Sequence, residues 1–397
     1  MSSLPGVAQA RSHAAATSDT VSHGRRDLPS LTGLRWVAAF LVFWFHCAGW
    51  GAVVSPWWHL PQFGFIGVSF FFVLSGVVLT WSARPGQGDG QFYWRRFARI
   101  YPAHAVMTIV AIALYLFVMP PYKPVWAGLL ALLLLHAWPP IPIVNSAANG
   151  VSWSLSCEAF FYACFPRLTR MLGRRSGRRR YVVVAAIVGA CSTAAVVGSF
   201  AAGGRFDTPF YENPLVRFGE FVLGVAIGLA LREGWVPRIR VGAAWLLAAA
   251  AAGVTLAVGF TRGWPVPRGL ADTITMGPLA IVLVAYAGRD LMGRDSLMSR
   301  RWAVYLGQLS FAFYLVHQLV LDLVMKQLVP MDHRTALAVL ARTPLALALS
   351  ILAAMALHHF VELPGQRLLT RRSSRRRQAD VPAYPDERQE PRLVGAA

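Results

Sequence analysis

The stretch LTGLRWVAAFLVFWFHCAGW, residues 31–50, decides how the chain folds. It is an apolar run of about 20 residues, the length at which an α-helix crosses the hydrocarbon core of a bilayer. Arg35, near its start, and His46, near its end, interrupt the run with ionisable side chains. Because ionisable groups are costly inside a membrane, a histidine in this span predicts a functional site.

The composition of the whole chain extends this pattern beyond the first span. Of 397 residues, 56% are hydrophobic and 14% are charged, whereas soluble domains carry about 25% charged residues. Long apolar stretches separate short arginine-rich ones, which is typical of bilayer-spanning helices joined by brief loops. We therefore predict an all-α, polytopic transmembrane helical bundle.

The net charge of +20 does not indicate nucleic-acid binding. The arginines lie in loops beside the apolar segments, where they set the orientation of a membrane protein and meet anionic lipid. We expect membrane lipid as a partner, and no nucleic acid. The four cysteines, Cys47, Cys157, Cys164 and Cys191, fall in apolar segments without metal-ligand spacing, so we expect packing residues and no metal site.

Charge decides how many apolar segments cross the membrane. Hydropathy marks eleven, near 31–52, 62–82, 101–119, 124–138, 152–166, 181–200, 213–231, 241–261, 270–288, 304–325 and 344–361. The stretches 84–99 and 167–180 are rich in arginine, and the positive-inside rule places both in the cytoplasm. An even number of spans must then separate them, so one of the three intervening segments does not cross. Segment 124–138 is the weakest, because its apolar run of about 14 residues is short for a span and Pro139, Pro140 and Pro142 follow it. We predict that residues 124–150 form a re-entrant or surface segment on the outer side, and that about ten spans lie elsewhere.

Ten spans place both termini in the cytoplasm of a multi-pass protein of the cell (inner or plasma) membrane. Residues 1–30 are polar and small, and are expected to form a disordered cytoplasmic N-terminus. Residues 31–367 form one membrane domain. Residues 368–397 are expected to form a disordered, basic cytoplasmic tail.

Ionisable residues inside the predicted spans mark the candidate site. Counted along helices, His46, Glu158 and His317 each lie roughly 20 Å from the cytoplasmic face, so we expect them at one level. A histidine with a pKa near its ordinary value of about 6.5 suits proton abstraction, and Glu158 is expected to orient that imidazole. Another interpretation stays open for these residues and for Arg217 and Glu220, namely that polar groups bond neighbouring helices and hold the bundle together.

A second polar layer lies closer to the cytoplasm. Arg35, Arg96 and Arg99 are expected there, and arginine forks bind phosphate in a bidentate manner. A phosphorylated ligand entering from the cytoplasm would meet this layer first, although plain positive-inside anchoring explains the same residues. His358 and His359, at the inner end of the last span, are expected to face the membrane interface.

Several motifs resemble those of a known family. The spacing of Arg35 and His46 is similar to the Arg-x10-His signature of the type 3 integral-membrane acyltransferases, which include lipopolysaccharide and peptidoglycan O-acetylases and macrolide O-acyltransferases. The further motifs are GVSFFFVLSG at 67–76, Arg96-Phe-Ala-Arg99, WSLSCEAFFY at 153–162, SFAFYLVH at 310–317 and VELP at 361–364. The resemblance covers about residues 31–367, which it identifies as a membrane acyltransferase domain.

The resemblance implies acyl transfer from acyl-CoA to a hydroxyl group. The donor, acetyl-CoA or a longer acyl-CoA, would be a co-substrate, and no cofactor would be bound permanently. The acceptor would be a glycosylated natural product of the macrolide kind or a cell-surface glycan. Because no sequence similar to the hydrolase-like domain of longer O-acetylases follows residue 367, we expect the smaller acceptor.

The resemblance also implies roles for particular residues. His46 would act as the base, with Glu158 and His317 as further catalytic residues, and Arg35, Arg96 and Arg99 would hold the phosphates of the coenzyme. Ser69, Trp153 and Tyr314 are expected to bind substrate, although packing explains Trp153 and Tyr314 equally well. A covalent acyl intermediate on histidine or on Ser69, Ser75 or Ser154 stays open.

The alternative function is a proton-coupled membrane transporter without acyl-transfer chemistry, because histidine and glutamate inside a membrane also serve proton relays. Transporters often show two related halves, and no internal repeat is visible in this sequence. Association with a second copy of the chain stays open.

Overall fold

The computed structural model describes residues 26–50, 59–84, 86–118, 124–175, 177–201, 210–262, 266–328 and 336–379. Within these ranges the regular structure is entirely helical, without strands, which confirms the predicted all-α bundle. Of the predicted N-terminal segment, residues 1–25 lie outside the described residues, as does the tail after residue 379. The expectation of disorder from residue 368 was wrong for residues 368–379, because the last helix of the described part continues through them to Ala379.

Twelve α-helices of the described part are numbered here in chain order. The first six are α1 Pro29–Ala48, α2 Ile66–Ser82, α3 Asp89–Phe117, α4 Val125–Leu132, α5 Trp153–Gly173 and α6 Gly177–Ala201. The others are α7 Pro214–Arg232, α8 Val241–Arg262, α9 Arg268–Leu291, α10 Arg301–Leu323, α11 Ala336–Leu357 and α12 Leu363–Ala379. Shorter pieces are His59–Gln62, Phe63–Phe65, Pro142–Asn145 and Leu297–Ser299.

Nine helical stretches of the described part are long and apolar enough to cross a membrane. They contain α1, α2, α3 and α6 to α10, and the ninth runs from Leu337 to Arg371 through α11 into α12. The tenth expected span lies in α5, which has 21 residues but carries Glu158, Arg167 and Arg170, so its hydropathy is lower. Segment 124–138 contains only the eight-residue α4, about 12 Å of helix, which agrees with the prediction that it does not cross.

Two helices change their hydrogen-bonding pattern near the end of a predicted span. α10 continues as a π-helical turn over Val324–Leu328, and α11 passes through another at His358–Glu362 directly into α12. This second turn shows that the expectation for His358 was wrong. Its imidazole is buried and lies 2.8 Å from the Glu362 carboxylate, because the turn directs it inward, whereas His359 is exposed.

Glycines let the central helices approach closely. A Cβ atom at Gly76 of α2 would collide with the Phe221 carbonyl oxygen of α7, and one at Gly307 of α10 would collide with the Thr32 carbonyl oxygen of α1. Small residues at such crossings allow backbone-to-backbone packing in a membrane bundle. The crossing of α1 and α10 brings the polar residues of both helices together.

Candidate active site

The ends of α1 and α10 bring two histidines into contact. The Nδ1 atom of His46 lies 3.2 Å from the Nε2 atom of His317, and the ring centroids are 5.1 Å apart. Phe313, one turn before His317 on α10, stacks on its ring with a centroid distance of 5.8 Å. The contact agrees with the expectation that these two histidines reach one level. His46 and His317 are called the histidine pair below.

The hydrogen-bond partners of the histidine pair assign its protons. Nδ1 of His317 lies 2.8 Å from the Tyr314 carbonyl oxygen, and a carbonyl only accepts, so this nitrogen carries the proton and Nε2 does not. Nδ1 of His46 lies 2.9 Å from the Val42 carbonyl oxygen and faces the unprotonated Nε2 of His317. It must therefore be the protonated nitrogen of His46. A neutral imidazole carries one proton, so Nε2 of His46 holds the available lone pair.

A cavity of about 330 Å³ lies between α1, α2, α3, α5 and α10. Its polar lining residues are Thr32, Arg35, Ser75, Ser82, Arg96, Arg99, Ser154, Glu158, Tyr162, Gln308, Ser310 and Tyr314. We call it the Arg35 cavity. Neither His46 nor His317 is a lining residue, but Tyr314 lines the cavity and its ring centroid is 5.7 Å from that of His317, so one side chain separates the cavity from the histidine pair.

The structure brings the three predicted arginines together in this cavity. Nε of Arg35 donates to the Ser310 hydroxyl at 3.2 Å, and its guanidinium carbon lies 5.9 Å from the centre of the Phe71 ring. The Arg96 guanidinium lies 5.8 Å from the Phe92 ring. Because three guanidinium groups converge on one space, a ligand with anionic groups fits this region.

Glu158 lies with the arginines and not with the histidine pair. Its carboxylate accepts a hydrogen bond from the Tyr162 hydroxyl at 2.9 Å, and the cations that act on it are Arg35, Arg99 and Arg96. The expected support of His46 by Glu158 is therefore wrong as a contact, since His317 takes that place. Counting residues from an apolar boundary gave an approximate depth but not the face of α5 that carries the carboxylate.

The other predicted binding residues divide between two regions. Tyr314 lines the Arg35 cavity; its hydroxyl accepts from Ser154 at 2.8 Å and donates to the Val151 carbonyl at 3.0 Å. Trp153 packs edge-on against Phe72 and is not a lining residue of this cavity. The substrate-binding roles of these side chains stay predictions.

A second buried polar group surrounds Arg217 of α7, and we call it the Arg217 cluster: Arg217, Glu220, Asp272 and Ser69. The guanidinium forms an ion pair with Glu220 at 3.1 Å, another with Asp272, and a hydrogen bond to the Ser69 hydroxyl at 2.9 Å. Tyr211, in the loop before α7, lies beneath the guanidinium at 4.5 Å, and burial raises the pKa of its phenol well above the ordinary value.

Sequence reasoning missed some members of both regions. Asp272 was not singled out, although an aspartate two residues into the predicted span 270–288 was a visible signal. Tyr162 and Ser310 appeared in motifs without a role of their own. Neither residue is ionised at neutral pH, so a search for charged residues inside spans passes over them.

The chain is similar in sequence to a protein family and to several known proteins. A family model described as an acyltransferase domain matches residues 28–359. The acyltransferase MdmB of Streptomyces mycarofaciens is 37% identical over 367 residues, which covers 87% of this chain and 93% of that protein. Nodulation protein 10 of Rhizobium leguminosarum is 27% identical over 317 residues, covering 72% and 81% respectively.

A peptidoglycan O-acetyltransferase, OatA of Listeria monocytogenes, is 35% identical over 107 residues, which is 25% of this chain and 16% of that protein. No solved structure matches the chain.

Proposed function

Since the chain belongs to the acyltransferase family whose model matches residues 28–359, we propose that it transfers an acyl group from acyl-CoA to a hydroxyl of a glycosylated natural product or a cell-surface glycan. O-acyl transfer itself follows from the family and from relatives such as MdmB; the donor and the acceptor are the proposal. The observation that carries it is the Arg35 cavity, which three arginines line together with Tyr314, a neighbour of His317 in the histidine pair.

The shape of the Arg35 cavity supports a CoA thioester as the donor. An acyl-CoA has a polyanionic end, a thin neutral arm and a reactive thioester, in that order. Arginines line the cavity together with aromatic side chains such as Phe71 and Tyr314, and the Tyr314 ring is next to His317 of the histidine pair. A donor that enters from the arginine side would present its thioester near His317.

The protonation of the histidine pair supports direct transfer. Nε2 of His46 takes the proton of the acceptor hydroxyl while the hydroxyl oxygen attacks the thioester carbonyl. The tetrahedral intermediate then breaks its carbon–sulfur bond, and the imidazolium returns the proton to the departing thiolate. The Nδ1–H group of His46 donates to His317 and the Val42 carbonyl, so His317 is a positioning residue that stabilises the cationic form.

The resemblance and the relatives support one order of acceptors. The motifs of the chain resemble those of macrolide O-acyltransferases, and the acyltransferase MdmB matches 87% of the chain. The name of OatA states peptidoglycan as its acceptor, but that match covers a quarter of the chain. We therefore place a macrolide-like glycosylated natural product first and a cell-surface glycan second.

The proposed activity is tested with purified protein, radiolabelled acyl-CoA and two acceptors, a glycosylated macrolide and a peptidoglycan fragment. We expect label transfer by the wild type and its loss, by about 10³-fold or more, in His46→Ala. His359→Ala, which changes an exposed histidine, is the matched control and should leave transfer intact. Proton-coupled flux without acyl transfer would instead support a transporter, and full turnover by His46→Ala would remove the base.

The natural acceptor and the membrane topology need separate measurements. Mass spectrometry of metabolites and envelope glycans from a deletion strain identifies the product that disappears. Reporter fusions at both ends of the chain test the proposed location in the cell membrane with cytoplasmic termini. A periplasmic or extracellular signal from either fusion would overturn that orientation.

A further inference from the structure

Arg35 and Glu158 lie on different helices and both line the Arg35 cavity. Their charges interact, yet no ion pair within 4.0 Å joins them in the described part of the chain. Arg35 uses Nε on the Ser310 hydroxyl, and Glu158 uses one oxygen on the Tyr162 hydroxyl. A group that enters between them meets hydrogen-bond donors on one side and acceptors on the other.

This arrangement is unsuited to a phosphate group. A phosphate offers only acceptors at neutral pH, and an ionised carboxylate is also an acceptor, so a phosphate beside Glu158 would be repelled. An amide offers one carbonyl acceptor and one N–H donor. Arg35 and Glu158 together present the complementary pair of partners, which is the recognition pattern for an amide.

We propose that Arg35 and Glu158 bind an amide of the donor's pantetheine arm, and that Arg96, further from the histidine pair, binds its phosphates. The inference rests on the proposed function, which supplies acyl-CoA as the donor. It assigns Arg35 to the arm instead of to the phosphates. It also explains why a glutamate lies among the arginines that line the cavity.

Distances along the helices support the order of these contacts. The Arg35 guanidinium lies beside Ser310, and His317 follows seven residues later on α10, which places it about 10 Å further along the bundle. A pantetheine arm has twelve bonds between its phosphate-bearing oxygen and its sulfur, about 15 Å when extended, and the amide farther from the sulfur lies about 9–10 Å from it. A thioester at the histidine pair therefore puts this amide at Arg35.

The phosphates then fall about one helical turn further from the histidine pair than Arg35. Arg96 interacts most strongly with Tyr162 among its charged and titratable neighbours, and Tyr162 follows Glu158 by four residues on α5, which is about 6 Å. The level of Arg96 is thus about 16 Å from His317, close to the length of the extended arm.

Two donors with the same pantetheine arm test the assignment: acyl-CoA, and the corresponding acyl-pantetheine, which lacks the phosphates and the adenosine. Both carry the acyl group that the wild type transfers fastest. Arg96→Gln should raise KM for acyl-CoA roughly 10- to 100-fold, the effect of one lost charge-assisted contact, and leave KM for acyl-pantetheine unchanged. Arg35→Gln and Glu158→Gln should raise KM for both donors by similar factors. Arg95→Gln, next to Arg96 but not a lining residue, is the matched control and should change neither.

A modified donor tests the same contact on the wild-type protein, so that misfolding of a variant does not decide the outcome. An acyl-CoA in which an ester replaces the amide farther from the sulfur lacks the N–H group that would donate a hydrogen bond to Glu158. Its KM should be roughly tenfold higher than that of acyl-CoA, and Glu158→Gln should add little to this loss. A wild type that accepts the ester equally well, or an Arg35→Gln defect confined to acyl-CoA, would overturn the inference. A wild type that uses no acyl-CoA at all overturns the proposed function itself.

Discussion

The Arg35 cavity and the Arg217 cluster both place arginine and carboxylate side chains inside the helical bundle, but only one of them leaves space for a ligand. The cavity beside Arg35 has a volume of about 330 Å³, whereas the void beside Arg217 has about 20 Å³, which is room for roughly one water molecule. Burial of charge therefore does not identify a binding site by itself. Charge next to open space does.

The two regions also differ in how the charges meet. In the Arg217 cluster the guanidinium contacts Glu220 and Asp272 directly, so each charge has its partner within the protein. In the Arg35 cavity the guanidinium and the Glu158 carboxylate are held apart. The first arrangement joins α2, α7 and α9 through paired charges, and the second leaves charged groups facing open space.

Arg217→Met is expected to have the largest effect. It leaves Glu220 and Asp272 as buried carboxylates without their cation, and loss of one partner of a buried ion pair costs about 3–5 kcal/mol. Thermal unfolding of the purified protein in detergent measures this loss. Arg96→Met, which removes a cation from the open cavity, is the matched control and should unfold close to the wild type. An unchanged unfolding temperature for Arg217→Met would contradict the claim that the Arg217 cluster stabilises the bundle more than the Arg35 cavity does.

Gly307→Ala tests the helix crossing that forms the wall of the Arg35 cavity. A Cβ atom at this position collides with the Thr32 carbonyl oxygen, so α10 and α1 must move apart. We expect a loss of stability of about 3 kcal/mol together with lower turnover, because the same crossing holds His317 against His46. Gly277→Ala in α9, where a Cβ meets no atom within 4 Å, should be neutral. Equal behaviour of the two variants would show that the crossing tolerates the shift.

The sequence predicted the helical bundle and singled out the arginines that the structure brings together in the Arg35 cavity, because apolar runs and charged interruptions are properties of single residues. The contact between His46 and His317 was within reach for the same reason, since counting along each span placed both at one depth. The eight-residue α4 followed from its short apolar run and the prolines after it.

The predictions that were wrong or incomplete depended on which face of a helix carries a residue and on how far its side chain reaches. Glu158 was expected beside His46 because its depth was similar, but α5 turns it toward Arg35. Asp272 was missed because it stands near the end of an apolar segment, where charged residues are ordinary. His358 was expected at the interface, since hydropathy does not show that a π-helical turn directs it inward to Glu362.

Glu158→Gln tests whether a charge in the Arg35 cavity affects turnover more than stability. The substitution keeps the size of the side chain and an acceptor for Tyr162, but removes the charge that faces Arg35. We expect turnover at low donor concentration to fall about 100-fold or less, equivalent to at most about 2.7 kcal/mol, without loss of thermal stability. Glu220→Gln in the Arg217 cluster should do the reverse, lowering stability more than turnover. If both variants lose stability equally, the Arg35 cavity is also a packing element.

The ion pair between Arg180 and Glu233 is expected to stabilise the protein least of the pairs compared here. Arg180 lies near the start of α6, and Glu233, directly after α7, is about half exposed. The carboxylate accepts a hydrogen bond from Arg180 at 2.6 Å, and this contact lowers the pKa of Glu233 below its ordinary value of 4.5. Arg180 also donates to the Leu172 and Arg175 carbonyl oxygens, so it keeps partners when the carboxylate is neutralised. Glu233→Gln should therefore cost less than about 1 kcal/mol.

The pH dependence of the unfolding temperature shows whether the charge of Glu233 stabilises the protein. A carboxyl group whose pKa is lowered by folding stabilises the protein above its ordinary pKa, and this contribution is lost as the pH falls through the lowered value. The unfolding temperatures of the wild type and Glu233→Gln should differ slightly at pH 7 and converge toward pH 3. A difference that persists at pH 3 would mean that Glu233 acts through packing instead of charge. A difference at pH 7 as large as that of Arg217→Met would show that a half-exposed pair stabilises this bundle as strongly as a buried one.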